Sequence, residues 1–209
     1  MRTSTRLKNL KDWLTENACS GRKMKAPGSN ALEIRYREPT CRLSIFSAQV
    51  AADGTNIYEN TDMAPGILIF MNRSGIRDHY KKRDKRSKTM RPMDLREFLE
   101  LQLMFIAYDP GHRTDESQQS GSLEDILPNE EEAGFAVLDW AEETMQKLVE
   151  NSIVPGTDLI VDQVGLEFGP LKENGVLAEK KPLYYAVLNC TFGCASQAVE
   201  NPETINYLD

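Results

Sequence analysis

Histidine is scarce in this sequence: His79 and His112 are the whole complement in 209 residues. Neither has a second histidine at helical spacing and no HExxH occurs, so histidine-based metal chemistry is not expected. A Gly-x-Ser-x-Gly elbow and a phosphate-binding P-loop are also missing. The triplet Glu130, Glu131, Glu132 is contiguous, whereas calcium loops interleave their ligands with glycine and asparagine, so it reads as a solvated helix start. With so few contexts for a nucleophile or a base, the expectation is no catalytic residue, no metal, no cofactor and no enzyme.

Cysteine is nearly as sparse. Cys19, Cys41, Cys190 and Cys194 form no CxxC pair and have no histidine beside them, which argues against a zinc site. They are expected to be reduced, buried thiols, with Cys190 and Cys194 on one face of a strand. No apolar run reaches 18 residues, so no membrane contact is expected. Met1 to Asn17 has no signal-peptide core, which points to the cytoplasm and to a silent Asn189-Cys190-Thr191 sequon.

What remains is an ordinary globular composition, 40% hydrophobic and 27% charged, read as one domain over 1–209. Leu7, Leu10 and Leu14 at helical spacing predict an amphipathic helix over Thr3 to Asn17. Ser20 to Asn30 reads as a loop. Strands are expected on both sides of Pro39 and at Gly66 to Asn72. Leu99, Leu101, Leu103 and Phe105 alternate with Glu100, Gln102 and Met104 in a long strand from Leu95 to Tyr108. Phe135 to Asn151 is the clearest helix, with a stripe of Leu138, Ala141, Met145 and Leu148. Val137, Trp140 and Thr144 form a flanking stripe that either widens the core face or lets Trp140 touch a neighbouring molecule. Asp158 to Phe168 and Pro182 to Cys194 close the domain as strands, with a charged hairpin-like loop between them and bulges or close packing at Gly165 and Gly169. The expected class is α+β: a small, mostly antiparallel sheet with helices packed on one face and long charged loop insertions.

Charge is the least random feature. Arg73, Arg77, Lys81, Lys82, Arg83, Lys85, Arg86, Lys88 and Arg91 face only two acids between 73 and 91. That basic insertion is +7, so against a whole-chain charge of −7 the rest carries −14. An acidic connection at 112–132 holds Asp115, Glu116, Glu124, Asp125, Glu130, Glu131 and Glu132, and a polar tail spans 195–209. Three fates are open to the basic insertion. It is a solvated loop, it contacts the phosphates of DNA, or it meets the acidic connection of a second copy. Tyr80 is its only aromatic, a poor platform for base stacking.

The succession of LREFLELQLMFIAYD (Leu95 to Asp109), FAVLDWAEETMQKLVEN (Phe135 to Asn151) and PLYYAVLNCTFG (Pro182 to Gly193), led by the N-terminal helix, resembles the tail-terminator (tail-completion) proteins of phage tails and related contractile injection particles. The resemblance covers roughly residues 4 to 194 and is one of architecture. It implies a structural subunit that assembles with copies of itself into a hexameric ring. Such a ring caps the tail tube and joins sheath or head-proximal components, in the cytoplasm during assembly and in the virion or particle afterwards. The alternative is a nucleic-acid-binding module or head–tail connector component that uses the basic 73–91 insertion.

Overall fold

The computed structural model describes residues 2–28, 34–44, 64–78, 95–110, 112–113, 126–127, 130–151, 153–168, 171–173, 176–178 and 183–194. Helix α1 (Thr3–Leu14) buries Arg6, Leu7, Leu10, Trp13 and Leu14, the stripe its spacing predicts. It runs on into a π turn, Thr15–Cys19, that buries Ala18 and Cys19. Strand β1 (Met24–Pro27) falls where a loop over Ser20 to Asn30 is expected and pairs in a small antiparallel hairpin with β2 (Ile34–Arg37), the strand expected before Pro39. Pro27 ends β1, where the loss of a donor N–H is tolerated. Next come β3 (Thr40–Leu43), β4 (Gly66–Asp78) and β5 (Leu95–Tyr108). The two-residue strands β6 (His112–Arg113) and β7 (Ile126–Leu127) pair antiparallel. Helix α2 (Glu130–Glu150), β8 (Leu159–Phe168), β9 (Leu171–Glu173), β10 (Val176–Ala178) and β11 (Leu183–Cys194) complete the order, with β9 and β10 as a hairpin.

The main sheet has the order β3-β4-β5-β11-β8, parallel only between β3 and β4. Class and sheet character are those expected: α+β and mostly antiparallel. Because β11 is antiparallel to both neighbours, β5 and β8 run parallel, joined through α2 with β11 between them. Both helices cover one face, here the inner face. There Leu99, Leu101, Leu103, Phe105 and Ala107 of β5 pack with Ile67 and Ile69 of β4, Ala186, Leu188, Cys190 and Phe192 of β11, and the buried side chains of α1 and α2. At about 25 cal/mol per Å² of apolar area, this layer is the main stabilising term of the fold.

Three sequence expectations are corrected. First, β4 runs on through Asp78, so Arg73 and Arg77 belong to a strand rather than to an insertion that begins at 73. Pairing with the equally long β5 satisfies its backbone whatever the side chains are. Second, α2 begins at Glu130, and its fully buried line is Val137, Trp140, Ala141 and Leu148, with Thr144 at 1% exposure, whereas Leu138 and Met145 are half-buried. The flanking stripe is thus the centre of the core face. Third, the bulge in β8 falls at Asp162, where the register with β11 shifts, and not at Gly165, which is paired with Asn189.

Candidate functional site

Strand β5 sets the geometry of every candidate feature. Its first residue, Leu95, pairs with Asp78 at the end of β4, and Cys194 at the end of β11 lies at the same pole of the sheet as the start of α1. Its last residue, Tyr108, pairs with Leu183 at the opposite pole, where β4 starts. The basic stretch between β4 and β5 and the acidic stretch after β5 therefore join opposite ends of one 14-residue strand, about 45 Å apart at the usual rise of a strand.

Of the basic candidates, Arg73 is exposed, registers with Glu100 and places its guanidinium 5.6 Å from the centroid of the Phe98 ring. Arg77 registers with Arg96 on β5. Lys81, Lys82, Arg83, Lys85, Arg86, Lys88 and Arg91 lie outside the described residues, as do Asp115, Glu116, Glu124 and Asp125. Glu130, Glu131 and Glu132 are the first residues of α2. His79 lies outside the described residues, and His112 pairs with Leu127 in the β6–β7 hairpin.

Trp140 is corrected as an interface candidate. It is 0% exposed, donates its indole N–H to the Ala18 carbonyl at 2.8 Å and meets Phe105 edge-on with centroids 5.0 Å apart. Arg22 sits 5.8 Å from its ring centroid and pairs with Glu143. All of its surface is spent within its own chain.

Two clusters were invisible in the sequence because they depend on long-range register. The first is on the outer sheet face. Glu100, Thr191 and Gln163 stand side by side across β5, β11 and β8, next to Gln102, Asn189 and Gly165. Gln102 donates its amide to Asn189 Oδ1 at 2.9 Å. Asn72, Glu100, Gln163, Glu167, Asn189 and Thr191 line a shallow depression of about 440 Å³. Toward the other pole the same face turns apolar, with Leu68, Met104, Ile106, Tyr108 and Leu183 buried.

The second cluster is the anchor of α1. Arg6, 3% exposed, donates Nε and Nη2 to Asp158 at 2.8–3.0 Å and Nη1 to Glu97. This fork locks the helix to the starts of β5 and β8. The hydrogen bond from Arg6 holds the Asp158 carboxyl below its ordinary value, and Asp158 in turn raises the guanidinium. A cleft of about 160 Å³ beside it is lined by Thr3, Ser74, Phe98 and Cys194. A guanidinium saturated by two carboxylates has a structural role, and the neighbouring thiol is no nucleophile: burial pushes Cys194 up to about 11.

The other thiols behave alike. Burial raises Cys19 to about 11 and Cys41 and Cys190 to about 12, and all four are free and buried. The expected result of maleimide labelling at neutral pH is no modification of the native protein within minutes and four labels after unfolding in urea. Rapid labelling of the native chain at Cys194 would show that the anchored pole opens.

Among the described residues no group of three or more His, Cys, Asp or Glu side chains is placed to hold a metal ion. None of their helices is long and apolar enough to cross a membrane. No protein-family model matches the chain, and no curated protein matches its sequence.

Proposed function

We propose that this chain is a structural assembly subunit, a tail terminator of a phage tail or contractile injection particle. Copies of it form a ring, hexameric by the family resemblance, that caps the tail tube and joins sheath or head-proximal components. The observation that carries the reading is the attachment of the basic and the acidic stretches to opposite ends of β5. A subunit with unlike charges at two distinct places makes heterologous contacts, and these close into rings when the rotation permits. The element order and the two helices on one sheet face agree with the resembled family.

Light scattering tests the reading. At low salt the expected particle is a six-fold multiple of the 23.6 kDa chain that dissociates as salt screens the contacts. A monomer at every salt and concentration would oppose it. DNA binding that weakens with salt and vanishes when Lys81, Lys82, Arg83, Lys85 and Arg86 are changed to alanine would then favour the nucleic-acid module.

A further inference from the structure

The main sheet is open at two places. On one side β3 pairs with β4 only over Gly66–Ile69, and the Ser44 N–H closes that ladder on the Ile69 carbonyl. The register of β4 against β5 shifts between Met71 and Arg73. Beyond the shift, Arg73 to Asp78 pairs with β5 on one side and has no strand on the other among the described residues. On the far side β8 pairs with β11 alone. Ile153 bridges to Ile160, the register shifts at Asp162, and Gln163 to Phe168 has no outer neighbour among the described residues. Each open run is regular strand, and the two are equal in length. One side of each backbone is paired and the other presents unpaired N–H and C=O groups, a template for a further strand.

The two runs carry opposite charges on one face of the sheet. Arg73 registers with Glu100, and Glu167 registers with Val187, which lies opposite Met104; all are outer-face positions. Arg73 and Glu167 are both exposed, and neither forms an ion pair with a described residue. Asp162 adds a second exposed carboxylate to the β8 edge. A Cβ on Gly193 would stand 3.1 Å from Asp162 Oδ2, which puts that carboxylate on the outer face as well. Direction also fits. β4 is antiparallel to β5, whereas β8 is parallel to β5 through β11. Copies set side by side with the same pole up therefore bring β8 of one antiparallel to β4 of the next, the more stable pairing.

We infer that the β8 edge of one copy pairs antiparallel with the β4 edge of a second copy, Glu167 opposite Arg73 and Gly165 opposite Gly75, so that their sheets run on as one. Backbone hydrogen bonds supply the attraction and the outer-face charges choose the edge. Two β8 edges would set carboxylate against carboxylate and two β4 edges arginine against arginine, so like edges repel and the contact repeats head to tail. Arg73 is level with Glu100 and Glu167 with Met104, so successive copies step by four residues, about 13 Å at the usual rise. Strands tilted against the ring axis take up such a stagger, as they do in closed barrels. The inference rests on the ring reading and names its lateral contact.

Exchange of charge tests it, with R73E, E167R and the two combined. Both positions are exposed, so all three variants are expected to melt like the parent protein. Within one copy the two positions are three strand spacings apart, at least about 14 Å, so rescue of one change by the other reports a contact between copies. In sedimentation velocity over a concentration series, each single variant should associate about tenfold more weakly at each contact, because an opposite-charge pair across the strands becomes a like-charge pair. The combined variant should recover the parent's association. An equimolar mixture of the two single variants should recover it too, since alternating copies restore every pair. If the parent assembles and the single variants assemble equally well, edge pairing is overturned while the ring reading stands. Failure of the combined variant or of the mixture to recover overturns it in the same way. A parent that stays monomeric at every concentration and salt overturns both.

Discussion

Replacing Trp140 by alanine is expected to destabilise the protein by about 3–5 kcal/mol, the range for deleting a fully buried large aromatic. Three losses coincide in this one side chain. Its edge-on contact with Phe105, at 5.0 Å and 86°, joins α2 to the central strand. Its indole N–H is the donor for the Ala18 carbonyl in the π turn, which would be left without that partner. Its volume belongs to the same buried core as Val137, Ala141 and Phe105, all 0% exposed, and a cavity there adds to the cost. W140F separates these losses, because it keeps most of the volume and removes the donor. An effect of about 1–3 kcal/mol is expected for it. Urea titration followed by circular dichroism measures both. A W140A effect under 1 kcal/mol would show that α2 is not held by this residue.

Removing the guanidinium of Arg6 is the second large change. R6A is expected to cost about 2–4 kcal/mol, somewhat below the range for breaking a fully buried pair, because Glu97 is 53% exposed and its charge remains hydrated. The variant should also lose a signature of acid unfolding. Asp158 is held below its ordinary value of 3.8 chiefly by the hydrogen bond from Arg6. A depressed carboxyl contributes stability that is present above the unfolded value and is lost as pH falls through the lower folded value. The parent protein should therefore weaken through and below the region of pH 4, and R6A should show a shallower acid dependence there. R6K keeps a charge but not the fork, so it is expected to fall between the two. An R6A variant as steep in acid as the parent would place the acid-sensitive group elsewhere.

Local pattern made part of this fold legible. The alternation from Leu95 to Tyr108 predicted β5 at its observed bounds and assigned both of its faces. The Leu7, Leu10, Leu14 spacing likewise predicted the buried side of α1. Other features were hidden for identifiable reasons. Thr144 stands in the flanking stripe with Val137 and Trp140, but the spacing does not show that stripe as the centre of the core; its hydroxyl donates to the Trp140 carbonyl within the helix, so it enters the core at no cost in unsatisfied groups. Arg73 to Asp78 has no apolar alternation, and only its partner β5 makes it a strand. The Arg6 anchor joins residues 91 and 152 positions apart, and the Gln102–Asn189 pair spans 87. No window along the chain contains both members of either cluster. The charged stretches were legible as composition, but their attachment to opposite poles followed only from the pairing of β4, β5 and β11.

The place of β11 has a consequence for how the molecule is made. It is synthesised after every other strand of the described residues, yet it sits between β5 and β8 and pairs with both. While the ribosome is still short of Leu183, β5 and β8 have no common neighbour, and the inner layer lacks Leu188, Cys190 and Phe192. The sheet is completed by insertion rather than by growth at an edge, and such long-range pairing folds slowly. A truncated chain ending before β11 would leave two strand edges open to aggregation. In the main sheet β8 pairs with β11 alone, so it joins that sheet only once β11 is in place.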